Sequence, residues 1–384
     1  MILFCCSLCL PLSAQVVLEG ENGYISYQVG QLPIVLSAPH GGDLKPTDIP
    51  DRSCPNAVTV KDLNTLQLTE AISESLFDLT ACYPHMVLCH LSRTKLDCNR
   101  NLADGACSDP LAERAWNEYH EFLDSALNTI HTTYHEAPLL LDVHGHGHPI
   151  ARIELGYLLE ASDLRLSDSV LNTTPLVQES SIQHLANHNL SGSTHSDLLR
   201  GGQALGSLLT SANYPSVPSL QNPEPGLGNA YFTGGYITAR YGSANGQRES
   251  NAIQLELNRP GIRDTQSHWE EFADSMASVL LDYVRIHQGL DLTACTSTSI
   301  PIDSDSPFAL YPNPLPSEQK VVKLKGLDGI QIQSMEIMDV WGRKYDGQYL
   351  EDNEIHLGNR LTTGTYILIL HTNHSQFTLT LVVS

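Results

Sequence analysis

The sequence predicts an α/β domain built on a largely parallel or mixed sheet, followed by a small all-β domain of antiparallel strands. Three observations predict it. Apolar strand-like runs alternate with helix-periodic segments over residues 15–290. From Phe308 onward only short β-rich runs appear, separated by turn residues. Between the two, residues 291–307 (DLTACTSTSIPIDSDSP) carry Ser, Thr, Asp and Pro without periodicity, the composition of a linker.

Residues 33–39 (PIVLSAP) read as a buried strand running into a loop. Over 62–80, Leu63, Leu66, Leu68, Ile72, Leu76 and Leu79 recur at roughly helical spacing. A strand is expected at 86–91 (MVLCHL) and a long amphipathic helix at 111–134. A second buried run spans Leu139 to Val143 and ends in a His-rich loop. The Ser-, Asn-, Gly- and Pro-rich stretch 160–235 predicts short helices and loops, with GGQALGSLLTSAN as one helix. A strand at 251–257 (NAIQLEL) and a closing helix near 266–288 complete the domain. In residues 308–384 the runs KVVKLKG, IQIQSMEIMDV, TYILILHT and QFTLTLVV predict strands, with turns at Asp328-Gly329 and Thr363-Gly364.

The chain has 384 residues, which suits two domains, and its 41% hydrophobic content is enough for a sizeable core. Against 43 Asp and Glu stand 21 Lys and Arg, a net charge of -22. That balance excludes nucleic acid, whose phosphates require a basic face, and adsorption to anionic lipid. The opening run MILFCCSLCLPLSAQ fits a signal peptide over 1–14, and so an exported, secreted or cell-surface protein. No other stretch approaches the ~18 apolar residues of a membrane helix. Beyond Ala14 the cysteines are Cys54, Cys82, Cys89, Cys98, Cys107 and Cys295. They are expected to be a mixture of buried thiols and one or two bridges. No CxxC pair occurs among them, so a thiolate zinc site is not expected.

The residues that carry chemistry fall at strand ends, where ligands bind in open α/β sheets. They are Pro39-His40-Gly41-Gly42-Asp43; the stretch from Arg93 through Asp97, Asn99 and Arg100; Asp142-Val143-His144-Gly145-His146-Gly147-His148; and Glu256-Leu257-Asn258-Arg259. A hydrolytic zinc takes three ligands from His and carboxylates and leaves a position open. His40 and His144 are the candidate imidazoles. The third ligand is open among Asp43, in an HxxD spacing, Asp62 and Asp51. Asp142 suits the role of orienting a ligand. Glu256, in an otherwise apolar strand, is the candidate general base, unless it pairs with Arg259 or Arg263. Arg93, Asn99 and Arg100 suit a substrate carboxylate or a developing oxyanion, and His146 is a further substrate-binding candidate. The Gly-Gly pairs are read as turn signals. GxSxG, HExxH and phosphate-loop motifs are absent.

Taken in order, SAPHGG (37–42), IPDR (49–52), LSRTKLDCNRN (91–101), DVHGHGH (142–148), LGYLL (155–159), YFTGGY (231–236) and IQLELNR (253–259) resemble the N-formylglutamate amidohydrolase family. The resemblance covers roughly 33–285. It implies a three-layer α/β/α sandwich with a mixed sheet, similar to the zinc carboxypeptidases, and one zinc ion. It also implies His40 and His144 as metal ligands, Glu256 as the water-activating base, and Arg93, Asn99 and Arg100 in the substrate-binding segment. The carboxypeptidase pattern has Glu where this chain has Asp43, so the third ligand stays open between Asp43 and Asp62. Implied substrates are small N-acyl amino acids or peptides. A carboxypeptidase or cell-wall peptide amidase, and a non-catalytic binding protein on the same fold, are the alternatives. FALYPNPLPSEQ (308–319), IMDVWGRKY (337–345) and LTTGTYILIL (361–370) resemble the type A sorting domain of the type IX secretion system, although the ending TLTLVVS lacks a basic residue. That resemblance implies the secretion machinery as a partner.

Overall fold

Side chains alternate across each central strand and sort themselves onto two faces. Ile34, Leu36 and Ala38, Leu139, Leu141 and Val143, and Ile253, Leu255 and Leu257 join one apolar cluster. Val35, Leu140 and Ala252, which alternate with them, are buried outside that cluster. A strand buried on both faces is the mark of a sheet covered by helices on both sides. The structure is a computed structural model. It describes residues 15–134, 137–292, 309–311, 315, 319–325, 332–339, 344–350, 353–358, 361, 364–372 and 376–383. The expected signal peptide (1–14), most of the linker and the turns at Asp328-Gly329 and Thr363 lie outside these residues.

The chain divides into two units near residue 295. In the first, the strands are β1 (Val17–Glu19), β2 (Ile25–Gln28), β3 (Ile34–Ala38), β4 (His85–Cys89), β5 (Leu139–His146), β6 (Ile153–Gly156), β7 (Ser216–Val217) and β8 (Asn251–Asn258). They form one eight-stranded mixed sheet in the order β1-β2-β4-β3-β5-β8-β6-β7. The middle strands β4, β3, β5 and β8 are mutually parallel, while β2 and β6 flank them antiparallel. All four parallel strands therefore end at the same edge.

The first helices are the long α1 (Thr65–Thr80), the short α2 (Leu102–Ala106) and the long α3 (Pro110–Tyr134). Then come the short helices α4 (Ala161–Leu164), α5 (Asp168–Leu171), α6 (Thr174–Glu179), α7 (Gln183–His188), α8 (His195–Arg200), α9 (Leu205–Ser211) and α10 (Tyr236–Tyr241), and finally α11 (Gln266–Gln288). Leu66, Leu68, Ile72 and Leu76 of α1 and Phe272, Met276, Leu280 and Val284 of α11 pack into the cluster that holds Leu36 and Leu141. Each such side chain contributes roughly 1.5–3 kcal/mol on burial. Helix α3 lies against β2, β3 and β4, with Phe122 touching Tyr27.

Most elements match the sequence reading within a residue or two, and the departures have local causes. The expected helix at 62–80 begins at Thr65, because Asn64 is left-handed with φ 65° and Asp62 turns into the site described below. Leu63 and Leu79 are consequently 43% and 47% exposed and are not core residues. β5 does not end at Val143. It continues through His144 to His146, each residue paired to β8 up to His146–Asn258, so the His-rich segment begins as strand and not as loop. Gly41 and Gly42 are not turn residues either. A Cβ on Gly42 would strike the backbone of His90 and Leu91, so this position is a close approach of two chains.

Cys54 and Cys107 form a disulfide and Cys82 is also disulfide-bonded, whereas Cys89 and Cys98 are buried thiols. The expected mixture is what the fold contains. No described helix is long and apolar enough to cross a membrane.

In the second unit β9 (Ala309–Tyr311), β10 (Val321–Lys325), β11 (Ile332–Asp339), β12 (Lys344–Tyr345), β13 (Gly347–Leu350), β14 (Glu354–Leu357), β15 (Gly364–Thr372) and β16 (Gln376–Val383) make two four-stranded antiparallel sheets, ordered β13-β14-β10-β9 and β12-β11-β15-β16. Val322 and Leu324, Ile355 and Leu357, Tyr366, Leu368 and Leu370, and Leu379, Leu381 and Val383 alternate inward from both sheets to one core. That alternation makes the unit a β-sandwich.

Candidate metal centre

The centre stands at the edge where the four parallel strands end. His40 follows β3, His144 and Glu256 sit side by side on β5 and β8, and Arg93 follows β4. Asp62 arrives on the loop before α1. Its backbone N–H donates to the His40 carbonyl at 3.1 Å, which brings its carboxylate between the two imidazoles. Asp62 Oδ2 lies 3.2 Å from His144 Nδ1 and 3.5 Å from His40 Nδ1, and the rings of His40 and His144 are 4.7 Å apart. All three residues are buried and can hold a metal ion.

Several observations test the fit of a cation here. Donors bonded at 2.0–2.1 Å around a tetrahedral ion stand roughly 3.3 Å apart, close to the spacings found. His40 Nδ1 is buried and has no hydrogen-bond partner, an orphaned lone pair or proton of the kind that normally requires explanation. Each imidazole is held from behind by its other nitrogen. His40 Nε2 meets Asp97 Oδ1 at 2.6 Å, and His144 Nε2 meets Asp142 Oδ2 at 2.7 Å. A carboxylate behind a ligating imidazole fixes its tautomer and raises its basicity. The residues fit a divalent cation bound through both Nδ1 atoms and Asp62.

The electrostatics agree. Burial alone would raise Asp62, yet the His144 hydrogen bond and the close approach of the His40 and His144 rings hold it well below the usual carboxylate range. Burial would likewise raise Asp97, and His40, Arg93 and Arg52 hold it down. Burial would lower His144, but Asp142 and Asp62 on its two sides hold it well above the ordinary imidazole value.

Asp142 is itself fixed by the Ser37 hydroxyl at 2.6 Å, as expected for an orienting residue. Asp97 was not singled out from the sequence as a positioning group, and only its place between Arg93 and Asn99 pointed to it. Arg93 donates from Nε to Asp97 at 3.0 Å, and its Nη1 stands 3.6 Å from Asp62 Oδ1. The guanidinium therefore braces two of the site's acids. Arg52, also buried, reaches the carbonyls of Val58, Arg93 and Asp104. Asn99 places Nδ2 3.2 Å from His144 Nε2 and accepts the Ile237 N–H on Oδ1. Arg100 is exposed, and its guanidinium makes no hydrogen bond among the described residues.

Glu256 is 5% exposed and accepts a 2.8 Å hydrogen bond from Gln254. It is in register with His144 on one side and Glu154 on the other. Burial pushes its carboxyl up to about 8. His144 and Gln254 oppose the rise, and Asp62 and Glu154 add to it. The guanidinium of Arg263 donates to the carbonyls of Leu257, Leu63 and His146. It lies so close to β5 that a Cβ on Gly145 would collide with it. The pairing of Glu256 with Arg263 or Arg259 considered from sequence is not formed as a salt bridge.

Two sequence expectations are corrected. Asp43 is not a ligand: its side chain is 78% exposed and is paired to Lys61 at 2.5 Å. HxxD spacing brought it near His40 in sequence, but the loop turns it outward. Asp51 is likewise exposed and paired with Lys95. His146 is not free to meet a substrate, because Nε2 bonds the Arg152 carbonyl at 2.8 Å and Nδ1 accepts the His148 N–H at 3.1 Å.

Compared with known proteins, the chain matches no protein-family model and no curated protein.

A substitution separates the two aspartates. Asp43→Ala should leave divalent-cation affinity within about twofold, since exposed ion pairs contribute roughly 0–1 kcal/mol. Equilibrium dialysis with zinc measures it, and a large loss would place Asp43 in the coordination sphere.

Proposed function

We propose that the first unit is a zinc-dependent hydrolase that cleaves an amide bond in a small N-acyl amino acid or short peptide. The observation that carries this reading is the trio His40, Asp62 and His144, with both Nδ1 atoms turned to one carboxylate and Glu256 directly alongside. The mixed sheet, with its candidate ligands at the carboxyl edge, is also compatible with a zinc-carboxypeptidase-like three-layer sandwich, and the segments SAPHGG, LSRTKLDCNRN, DVHGHGH and IQLELNR, which resemble N-formylglutamate amidohydrolases, meet at this edge. The choice of zinc rests on the donor set, two imidazoles and a carboxylate, which suits that ion.

When bound, zinc would supply Lewis-acid polarisation of the scissile carbonyl and make water nucleophilic at neutral pH. Glu256 takes a proton from the attacking water and delivers it to the leaving nitrogen. Burial with few fixed donors suits that task, because the carboxyl exchanges its proton at little cost near neutral pH. Asp97 and Asp142 keep the two imidazoles in the ligating tautomer. Arg93 holds Asp62 and Asp97 in place. Arg100, with an uncommitted guanidinium, is the group that binds a substrate carboxylate. Asn99 ties the edge of the site to the start of α10.

The Cys54–Cys107 bridge supports export, since such bonds persist in oxidising compartments. We assign the second unit to the type IX secretion machinery as a sorting domain, on its sequence resemblance and its sandwich form.

The test is hydrolysis by the purified full chain. N-formyl amino acids, N-acetyl amino acids and short peptides are assayed for amine release with zinc and after chelation. Release that chelation abolishes and zinc restores is expected. Zinc binding without hydrolysis of any of these classes would instead favour a binding protein.

A further inference from the structure

A second cluster of donors lies beyond the first along the same strand. His146 is the next residue on the face that carries His144, and the two Cα atoms are roughly 7 Å apart by strand geometry. Past it the chain turns through Gly147 and His148 and returns as β6, which places Glu154 beside Glu256. His146, His148 and Glu154 present ligating atoms that all lie within 4.8 Å of one another. Glu154 is fully buried. Among the described residues its oxygens meet only His148 Nδ1 at 3.0 Å and the Phe232 N–H at 2.9 Å.

The surroundings are built as they are around the first centre. Nε2 of His146 gives its hydrogen to the Arg152 carbonyl, which leaves the lone pair on Nδ1, turned toward His148. A backbone carbonyl behind an imidazole is a common support for a metal-ligating histidine. Phe232 stacks on His148 with ring centres 4.7 Å apart and planes 12° from parallel, so the second imidazole is fixed as well. The carboxylate is held by the Phe232 amide. The only bond a cation would displace at His146 is that from the half-buried His148 N–H, which water can reach.

We infer that His146, His148 and Glu154 form a second site for a divalent cation of the zinc class. At the strand spacing given above, the two ions would be separate centres, not the bridged pair at roughly 3.5–4 Å of two-metal hydrolases. The second ion would tie the turn after β5 and the Phe232 segment to β6, on the strand next to Glu256.

Metal content decides the matter without reference to activity. The full chain, and the variants His148→Ala, Glu154→Gln and His40→Ala, are saturated with zinc, dialysed and analysed by mass spectrometry. Melting curves check that each is folded. Two equivalents are expected in the parent and one in each variant. One equivalent in the parent that His148→Ala and Glu154→Gln both retain, or two retained in both of those variants, would overturn the inference. A single ion lost from His40→Ala but kept in His148→Ala overturns it while leaving the first centre intact. One ion kept in His40→Ala and lost in His148→Ala supports the second site and removes the first.

Discussion

Replacing Glu256 with Gln should lower kcat by roughly 10²–10⁴, the range that a positioned general base contributes, equivalent to about 3–5 kcal/mol of transition-state stabilisation. The amide is isosteric and keeps the Gln254 contact in reach, so the fold is preserved while the proton acceptor is lost. KM and zinc content should change little, because the ligands stand on other segments. The decisive measurement is kcat at saturating substrate in the zinc-loaded protein; retention of parental kcat removes Glu256 from the mechanism. A second readout follows from its environment. Burial lifts the carboxyl to about 8, above its unfolded value. That group therefore favours the folded state fully below the unfolded pKa, and the contribution is lost as pH rises through about 8. In the metal-free protein, the melting temperature of Glu256→Gln should gain on the parent as pH is raised from 5 to 9.

Asp62→Ala should all but abolish zinc binding at the first centre. It removes one of three ligands and the only negative one, and it leaves two imidazoles facing each other. By contrast Asp97→Asn keeps every ligand and should weaken affinity roughly 10–100-fold, as loss of an outer partner does. His148→Ala serves as the background for both, so that only the first centre is titrated. Competition with a chromogenic chelator measures the ranking. Equal affinity in Asp62→Ala and the parent would sink the assignment of the trio.

Much of this site could be read from the residues, and the part that could not has a physical reason. His40, His144 and Glu256 stand on or just beyond strands whose apolar runs mark them, and strand ends in such sheets are where ligands bind. Asp62 could not be chosen over Asp43, because the choice depends on how a long loop returns. Its N–H meets the His40 carbonyl, while Asp43 turns out to Lys61. Asp97 is an acid among several in a charged segment, and only the folded geometry puts it behind His40. His146 looks like a substrate contact from sequence because the Arg152 carbonyl that engages its Nε2 is brought to it only by the fold. The outer strands β1, β2, β6 and β7 escape the sequence reading for another cause: at two to four residues they are too short to show a period.

The disulfide between Cys54 and Cys107 has a practical bearing on how protein with an intact first centre is made. Three of the first centre's groups rest on the sheet or directly beyond a strand, and Asp62 alone hangs on a loop. The bridge spans 53 positions, and closing a ring of that size removes about 4 kcal/mol of chain freedom from the unfolded ensemble. It also anchors the stretch that leads to Asp62 beside α2. Protein produced in a bacterial cytosol, where thiols stay reduced, would keep its imidazoles in place but hold its carboxylate by the His40 carbonyl, the Gly145 N–H and Arg93 alone. Preparations from oxidising and reducing hosts should accordingly differ in zinc occupancy more than in secondary structure.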